Sequence, residues 1–156
     1  ISRNSFIGIG FSYGAYLTQM LHAKYPDFFV GFVSINGPYD LIKFIESSPP
    51  YWIEVINNLI GNPTTDRDLL VEQSPVTYLK ELVKPMLIIH GEEDGTVPKE
   101  HSQLFVDGVK EFNESVEYIV IQNEGHNFID KSNEMRVFRE IVKYLRKLTG
   151  GKVDVE

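Results

Sequence analysis

The stretch Phe6-Ile7-Gly8-Ile9-Gly10-Phe11-Ser12-Tyr13-Gly14 decides how this chain folds. Its first residues form an apolar run that predicts a short buried β-strand, and apolar residues at helical spacing follow over 13–24. Gly10, Ser12 and Gly14 make a G-x-S-x-G pattern at this junction. A serine on such a sharp strand-to-helix turn has a strained backbone and an exposed hydroxyl, and flanking glycines are expected to let strand and helix approach. The pattern predicts a nucleophile at Ser12; the alternative is a plain glycine-rich turn.

The rest of the chain alternates apolar strands with helical segments. Continuous apolar strands between helices indicate a parallel sheet that is covered on both faces. We therefore expect an α/β fold, a three-layer αβα sandwich with a mainly parallel sheet, over 1–149, followed by a flexible tail, 150–156. Further strands are predicted at 29–35, 85–90 and 116–121, and helices at 41–45, at 51–60, and from Ser74, Pro98 and Ser132 onward.

The composition excludes several classes of partner. Of 156 residues, 42% are hydrophobic and 24% charged, which is ordinary for a globular domain with a real core. A net charge of −7 without a Lys/Arg cluster argues against nucleic acid. No apolar run approaches the ~20 residues of a membrane helix. Cysteine is absent, which excludes disulfides and allows a reducing compartment, so we expect a cytoplasmic location.

Candidate partners for Ser12 follow two other strands. Sites in open α/β sheets form at the carboxyl ends of the strands. The stretch His90-Gly91-Glu92-Glu93-Asp94 follows the third strand, and Glu124-Gly125-His126 follows the fourth. A serine hydroxyl needs a base within hydrogen-bond reach, and that base needs an acid to orient it. We expect a serine, an acid and a histidine to converge at this edge.

The base is chosen from four histidines. His126 is favoured because it alone lies in a loop after a strand, with a glycine before it. His22 lies near a helix end, where a cation suits the helix dipole, and it is expected to be structural. His101 falls in the first turn of a helix and is expected to be solvated. His90 ends a buried strand and is expected to bond locally.

The acid is chosen from three neighbouring carboxylates. Asp94 is favoured because the loop that carries it ends in Val97-Pro98, which holds the start of the next helix. Glu92 and Glu93 remain alternatives. The histidines and carboxylates show no metal-ligand spacing, and a glycine-rich dinucleotide fingerprint would need glycine where Tyr13 stands. We expect neither a metal nor a cofactor.

These motifs resemble the catalytic domain of the prolyl oligopeptidase family of serine peptidases, which includes dipeptidyl- and acylaminoacyl-peptidase-like enzymes. The resemblance implies the C-terminal half of an α/β-hydrolase fold, with Ser12 as nucleophile, Asp94 as acid and His126 as base. The matching stretches, in chain order, are Gly10–Tyr16, Asn36–Asp40, Ser74-Pro75, Pro85–Pro98 and Glu124–Phe128.

The resemblance also implies substrate contacts. The backbone N–H of Tyr13 would be one oxyanion donor, and Val97 would line the pocket for the side chain next to the scissile bond. Aromatic residues after the second strand are expected to form further pocket walls, with core or lid packing as the alternative; they are Tyr39, Phe44, Tyr51 and Trp52.

The chain departs from the family's pattern before Ser12. A complete catalytic domain has several strands ahead of the one that carries the serine, and a loop among them supplies a second oxyanion donor. We expect the first strand here to be an exposed edge that is covered in a homo-oligomer or by the missing N-terminal part. The expected activity is peptide hydrolysis; a carboxylesterase and a catalytically silent fragment that acts through association are the alternatives.

Overall fold

A computed structural model describes residues 6–151 and shows four parallel strands in the order β1-β2-β3-β4. Strands alternate with helices, and this confirms the expected α/β class. The strands are β1 (Phe6–Phe11), β2 (Phe29–Ile35), β3 (Met86–Gly91) and β4 (Val116–Ile121). The helices are α1 (Tyr13–Lys24), α2 (Leu41–Ser47), α3 (Pro50–Leu59), α4 (Arg67–Glu72), α5 (Glu100–Lys110) and α6 (Lys131–Thr149).

Both faces of the sheet are buried, because alternate side chains of a strand point to opposite faces. Phe32 and Ile88 join a core cluster with Phe105 of α5. Their neighbours Val33 and Leu87 join a second cluster with α6. Helices therefore cover the sheet from two sides, and this arrangement is the three-layer sandwich that the apolar strands predicted.

The segment between β2 and β3 forms a small helical layer of its own. Helices α2, α3 and α4 are followed by a 3₁₀ segment, Pro75–Glu81. Their apolar residues pack with Tyr16 of α1 into a third cluster. Only α4 has no counterpart among the helices expected from the sequence. The layer adjoins the start of α1, directly after Ser12.

The C-terminal helix has a different N-cap from the one expected, but it ends where the sequence predicts. Asp130, rather than Ser132, caps α6: its carboxylate accepts the N–H of Ser132 at 2.8 Å. At the other end Gly150 has a φ of 63°, and the N–H of Gly151 donates to a carbonyl of the last turn at 2.8 Å. The remainder of the expected tail, 152–156, lies outside the described residues.

Strand β1 lies at an edge of the sheet and pairs with β2 alone within residues 6–151. Ile9 and Phe11 are 52% and 42% exposed. Large apolar side chains of α1, Leu17 and Leu21, are also exposed. The edge is therefore apolar and open, as the sequence led us to expect.

No helix within 6–151 is both long and apolar enough to span a bilayer.

Association through this edge remains a prediction. For the chain alone in solution, a second copy is the available cover, so we expect it to sediment above the mass of one chain. Ile9→Lys should shift it toward the monomer, because a charged edge disfavours strand pairing. Val83→Lys, at another exposed apolar position, is the matched control. A folded monomer at high concentration in analytical ultracentrifugation contradicts the prediction.

His22 is a buried, uncharged member of the core. Its Nε2 accepts the backbone N–H of Lys84 at 2.9 Å, its Nδ1 lies 3.2 Å from Gln19 Oε1, and its ring stacks on Phe32. An Nε2 that accepts a hydrogen bond carries no proton, so the ring is neutral. Burial, helped by the charge of Lys84, lowers the pKa of His22 to about 3. The role is structural, as expected, but His22 is not the helix-end cation that the sequence suggested.

Mild acid is expected to destabilise the fold through His22. Unfolded histidine takes up a proton near pH 6.5, whereas folded His22 does so only near its pKa of about 3. Stability from this group is fully present above pH 6.5 and falls by about 1.4 kcal/mol per pH unit as the pH drops from 6.5 toward about 3. Urea unfolding between pH 7 and pH 5 should show this slope, and His22→Gln should reduce it. Equal slopes for the two proteins would disprove the assignment.

Candidate active site

The turn between β1 and α1 holds Ser12 in a strained conformation, with φ 55° and ψ −123°. Its N–H donates to the carbonyl of Ile35 at 2.8 Å, which ties the turn to the end of β2. A Cβ on Gly10 would lie 2.1 Å from the backbone oxygen of Gly14, so this approach requires glycine. A Cβ on Gly14 would meet no described atom within 4 Å. The expectation that both glycines permit the approach is correct for Gly10 and wrong for Gly14.

Three side chains from three different strand ends form one hydrogen-bonded chain. Ser12 Oγ lies 2.9 Å from His126 Nε2, and His126 Nδ1 lies 2.7 Å from Asp94 Oδ2. A carboxylate only accepts, so Nδ1 bears the proton and Nε2 is left to accept from the serine hydroxyl. The arrangement can withdraw a proton from Ser12 and stabilise the resulting imidazolium.

The Asp94 carboxylate is fully buried and held by donors on both oxygens. Oδ1 accepts the N–H groups of Thr96 at 2.8 Å and Val97 at 2.9 Å, and Oδ2 faces His126 and His90. Burial on its own raises the pKa of Asp94, but the bonds from His126, His90 and the two N–H groups outweigh it. The pKa therefore lies well below its usual range. Asp94 is consequently ionised at neutral pH.

A cavity of about 300 Å³ opens beside the turn that carries Ser12. Tyr13, which follows Ser12, lines one side, and Gly95 and Thr96, which follow Asp94, line another. The remaining wall is formed by side chains of α2, α3 and their connections, none of them charged: Phe44, Ser48, Pro49, Tyr51, Trp52, Ile56, Leu59 and Ile60. Phe44, Tyr51 and Trp52, three of the four aromatic residues expected in pocket walls, therefore line this cavity.

The sequence model of the prolyl oligopeptidase family matches residues 1–152 of this chain. The chain belongs to the prolyl oligopeptidase family. It is 31% identical over 157 residues to dipeptidyl peptidase family member 6 of Caenorhabditis elegans, covering 97% of this chain and 21% of that protein. It is 32% identical over 152 residues to dipeptidyl aminopeptidase BIII of Pseudoxanthomonas mexicana, and this match covers 94% of this chain and 22% of that protein. The chain thus spans about a fifth of the length of these relatives.

A solved structure shows the same fold. The chain superposes on the acylaminoacyl peptidase of Pyrococcus horikoshii with a TM-score of 0.83 and 20% identity, over 99% of this chain and 26% of that one. The described part of this prolyl oligopeptidase family member is therefore α/β-hydrolase architecture, in agreement with the resemblance that the motifs carried.

Two residues expected in the substrate pocket of this family member lie in its core instead. Tyr39 is fully buried and stacks on Phe105 at 4.2 Å between ring centres. Val97 is 1% exposed, and its backbone bonds to Asp94 and to His90. Neither side chain lines the cavity beside Ser12.

The alternative acids and bases stand apart from Ser12. Glu92 lies 3.6 Å from the ammonium of Lys99, and Glu93 is exposed. His101 is buried on α5, where its Nε2 lies 3.4 Å from Ser47 Oγ, so the expectation that it is solvated is wrong. Within 6–151, no group of three or more His, Asp or Glu side chains has an arrangement that could hold a metal ion.

Asn36 is a supporting residue that the sequence singled out only as the first residue of the matching stretch Asn36–Asp40. Its Nδ2 donates to the carbonyl of His126 at 2.7 Å, and its Oδ1 accepts the N–H of Gly91 at 2.9 Å. Its φ of 51° suits asparagine better than most residues. One amide thus joins the ends of β2 and β3 to the loop that carries His126. A polar residue directly after a buried strand was the signal available in the sequence.

Glu124 closes the loop that carries His126. Its buried carboxylate accepts the N–H of Ile129 at 2.8 Å and of Asp130 at 3.0 Å. Its carbonyl accepts the N–H of Glu93 at 2.8 Å, which connects the loop of His126 to the loop of Asp94. In the sequence, Glu124 stands out only as part of the motif that contains His126, because its partners follow it within an irregular loop.

Proposed function

We propose that this chain carries the catalytic centre of a serine peptidase that cleaves peptide bonds through an acyl-enzyme on Ser12. The hydrogen-bond chain from Ser12 Oγ to His126 at 2.9 Å and on to Asp94 at 2.7 Å carries the proposal. Membership of the prolyl oligopeptidase family supports it. The activity of the whole protein, its substrates and its partners are part of the same proposal.

Acylation begins when Ser12 Oγ attacks the peptide carbonyl carbon and its proton passes to His126 Nε2. Asp94 holds the ring and stabilises its positive charge. The tetrahedral oxyanion accepts a hydrogen bond from the backbone N–H of Tyr13. Tyr13 is the first residue of α1, and the first N–H groups of a helix have no acceptor inside the helix. When the C–N bond breaks, His126 returns the proton to the departing amine. The acyl group then remains on Ser12 as an ester.

Deacylation repeats the same steps with water as the nucleophile. His126 takes one proton of the water while the water oxygen attacks the ester carbonyl carbon. His126 then gives that proton to Ser12 Oγ as the ester bond breaks. The products are the carboxylic acid and the free serine. Neither half of the cycle requires a metal ion or a cofactor.

A fluorophosphonate probe tests the proposal because it reacts with activated serine hydroxyls. We expect the chain, or the longer protein if its gene encodes one, to be labelled at Ser12, and Ser12→Ala to lose the label. Ser47→Ala is the matched control, since Ser47 Oγ also lies near a histidine, His101, at 3.4 Å. Absence of labelling would reject the proposal and favour the catalytically silent alternative.

The cavity beside Ser12 favours substrates with an uncharged apolar side chain next to the scissile bond. Its walls carry no charge, so a buried Glu or Lys of the substrate would lack a partner. We expect kcat/KM for Phe or Leu substrates to exceed that for Glu or Lys substrates by at least about tenfold. Trp52→Lys should reduce the difference in kcat/KM between apolar and Glu substrates, because the new ammonium can pair with the carboxylate of the substrate. A preference for charged substrates in the unmodified chain contradicts this assignment.

An esterase on the same fold is the second candidate. The sequence assigns a single oxyanion donor, the N–H of Tyr13, and an ester expels its alkoxide more readily than an amide expels its amine. An ester therefore needs less help at the oxyanion. Comparing kcat/KM on an aminoacyl-nitroanilide and on a short acyl ester separates the two: a much higher value for the ester selects the esterase.

A further inference from the structure

His90 is a fully buried polar residue at the end of β3, and both of its ring nitrogens have polar partners. Its Nε2 lies 2.8 Å from the carbonyl oxygen of Val97 and 3.3 Å from Asp94 Oδ2. Its Nδ1 lies 2.6 Å from Ser102 Oγ on α5. The ring therefore stands between the turn that carries the acid and the helix behind it.

The partners determine which ring nitrogen carries the proton. A carbonyl and a carboxylate both accept, so Nε2 bears the hydrogen, pointed mainly at Val97 and secondarily at Asp94. Nδ1 of the neutral ring then accepts the hydroxyl hydrogen of Ser102. Ser102 is itself fully buried, so it holds His90 in this tautomer without competition from solvent.

The contacts of His90 hold both ends of one short turn. The N–H of Val97 donates to Asp94 Oδ1 at 2.9 Å, so the turn from Asp94 to Val97 closes on itself. That bond, and the one from Thr96, move with the turn and do not anchor it. His90 reaches from the sheet to the carbonyl at one end and to the carboxylate at the other.

We propose that His90 is a positioning residue, which ties the Asp94 turn to β3 and α5 so that Oδ2 meets His126 Nδ1. Packing alone would be served by an apolar side chain of similar size, whereas His90 brings two polar nitrogens into the core and satisfies both. The inference rests on the proposed function only in that Asp94 is taken to orient the base.

The test compares His90→Gln with His90→Met in the full chain. Gln and Met have nearly the same length, but only Gln keeps a terminal N–H donor for Val97 and Asp94. Fluorophosphonate labelling of Ser12 should slow about tenfold for Met and stay within about twofold of the unmodified chain for Gln. The downfield proton NMR signal of the His126–Asp94 bond should broaden for Met and persist for Gln.

Ser102→Ala provides a second variant in case the His90 variants fail to fold. It removes the donor to Nδ1 and is expected to slow labelling about threefold and to broaden the same proton signal. Equal labelling and equal signals for Gln and Met would overturn the inference, as would an unchanged signal in Ser102→Ala. If even the unmodified chain is not labelled, the proposed function fails, while the NMR comparison still decides the role of His90.

Discussion

Asp94→Asn is expected to lower the rate of Ser12 acylation by about 10⁴-fold while leaving the fold intact. The N–H groups of Thr96 and Val97 both donate to Oδ1, so an asparagine must place its oxygen there. Its NH₂ then takes the place of Oδ2 and faces His126 Nδ1. Two donors cannot face each other, so the imidazole moves its proton to Nε2 and no longer accepts from the serine hydroxyl.

Glu93→Gln is the matched control, because Glu93 is the adjacent carboxylate and is exposed. The measurement is the rate of fluorophosphonate labelling at neutral pH, with thermal unfolding to show that both variants are folded. Retention of most of the rate in Asp94→Asn, or an equal loss in Glu93→Gln, would show that the acid has been assigned wrongly.

Gly10→Ala is expected to destabilise the chain by about 3 kcal/mol or more. The new Cβ would lie 2.1 Å from the backbone oxygen of Gly14 and 2.4 Å from Thr18 Oγ1, and a backbone atom cannot move aside cheaply. Strand β1 and helix α1 would have to separate. Because Ser12 stands on the turn between them, its distance from His126 would change as well.

The second glycine of the same motif supplies the control. Gly14→Ala places its Cβ where no described atom lies within 4 Å, at a helical position where alanine is preferred by up to about 1 kcal/mol. Urea unfolding of the two variants should therefore give effects of opposite sign. Similar destabilisation by both would mean that the space beside Gly14 is filled, for example by another copy of the chain.

The sequence was most informative where a local pattern and the topology required the same arrangement. The glycine-serine turn after β1 is such a place. In a parallel sheet all strands end at the same edge, so Asp94 after β3 and His126 after β4 had to arrive near Ser12. The choice of Asp94 over Glu92 and Glu93 also agrees with the geometry, because only Asp94 is buried against His126.

The sequence was least informative where burial depends on distant parts of the chain. Tyr39 and Phe44 lie five positions apart and look alike as candidate pocket residues. Phe105 covers Tyr39, whereas Phe44, which meets the ring of His101 edge-on, still lines the cavity. From the sequence His22 resembles a helix-end cation, but in the structure its ring accepts the backbone N–H of Lys84 and is neutral. No local pattern reveals contacts of this kind.

By itself, then, the sequence determined the order of the strands and of every helix except α4, the strained turn at Ser12, and the edge at which Ser12, Asp94 and His126 collect, because periodicity and glycine placement act locally. Only the tertiary structure decided what holds that site in register. Asn36, His90 and Glu124 take their roles from partners in other strands, helices and loops, with which they hydrogen-bond inside the protein. Such bonds depend on distances of a few tenths of an ångström, which only the packed chain defines.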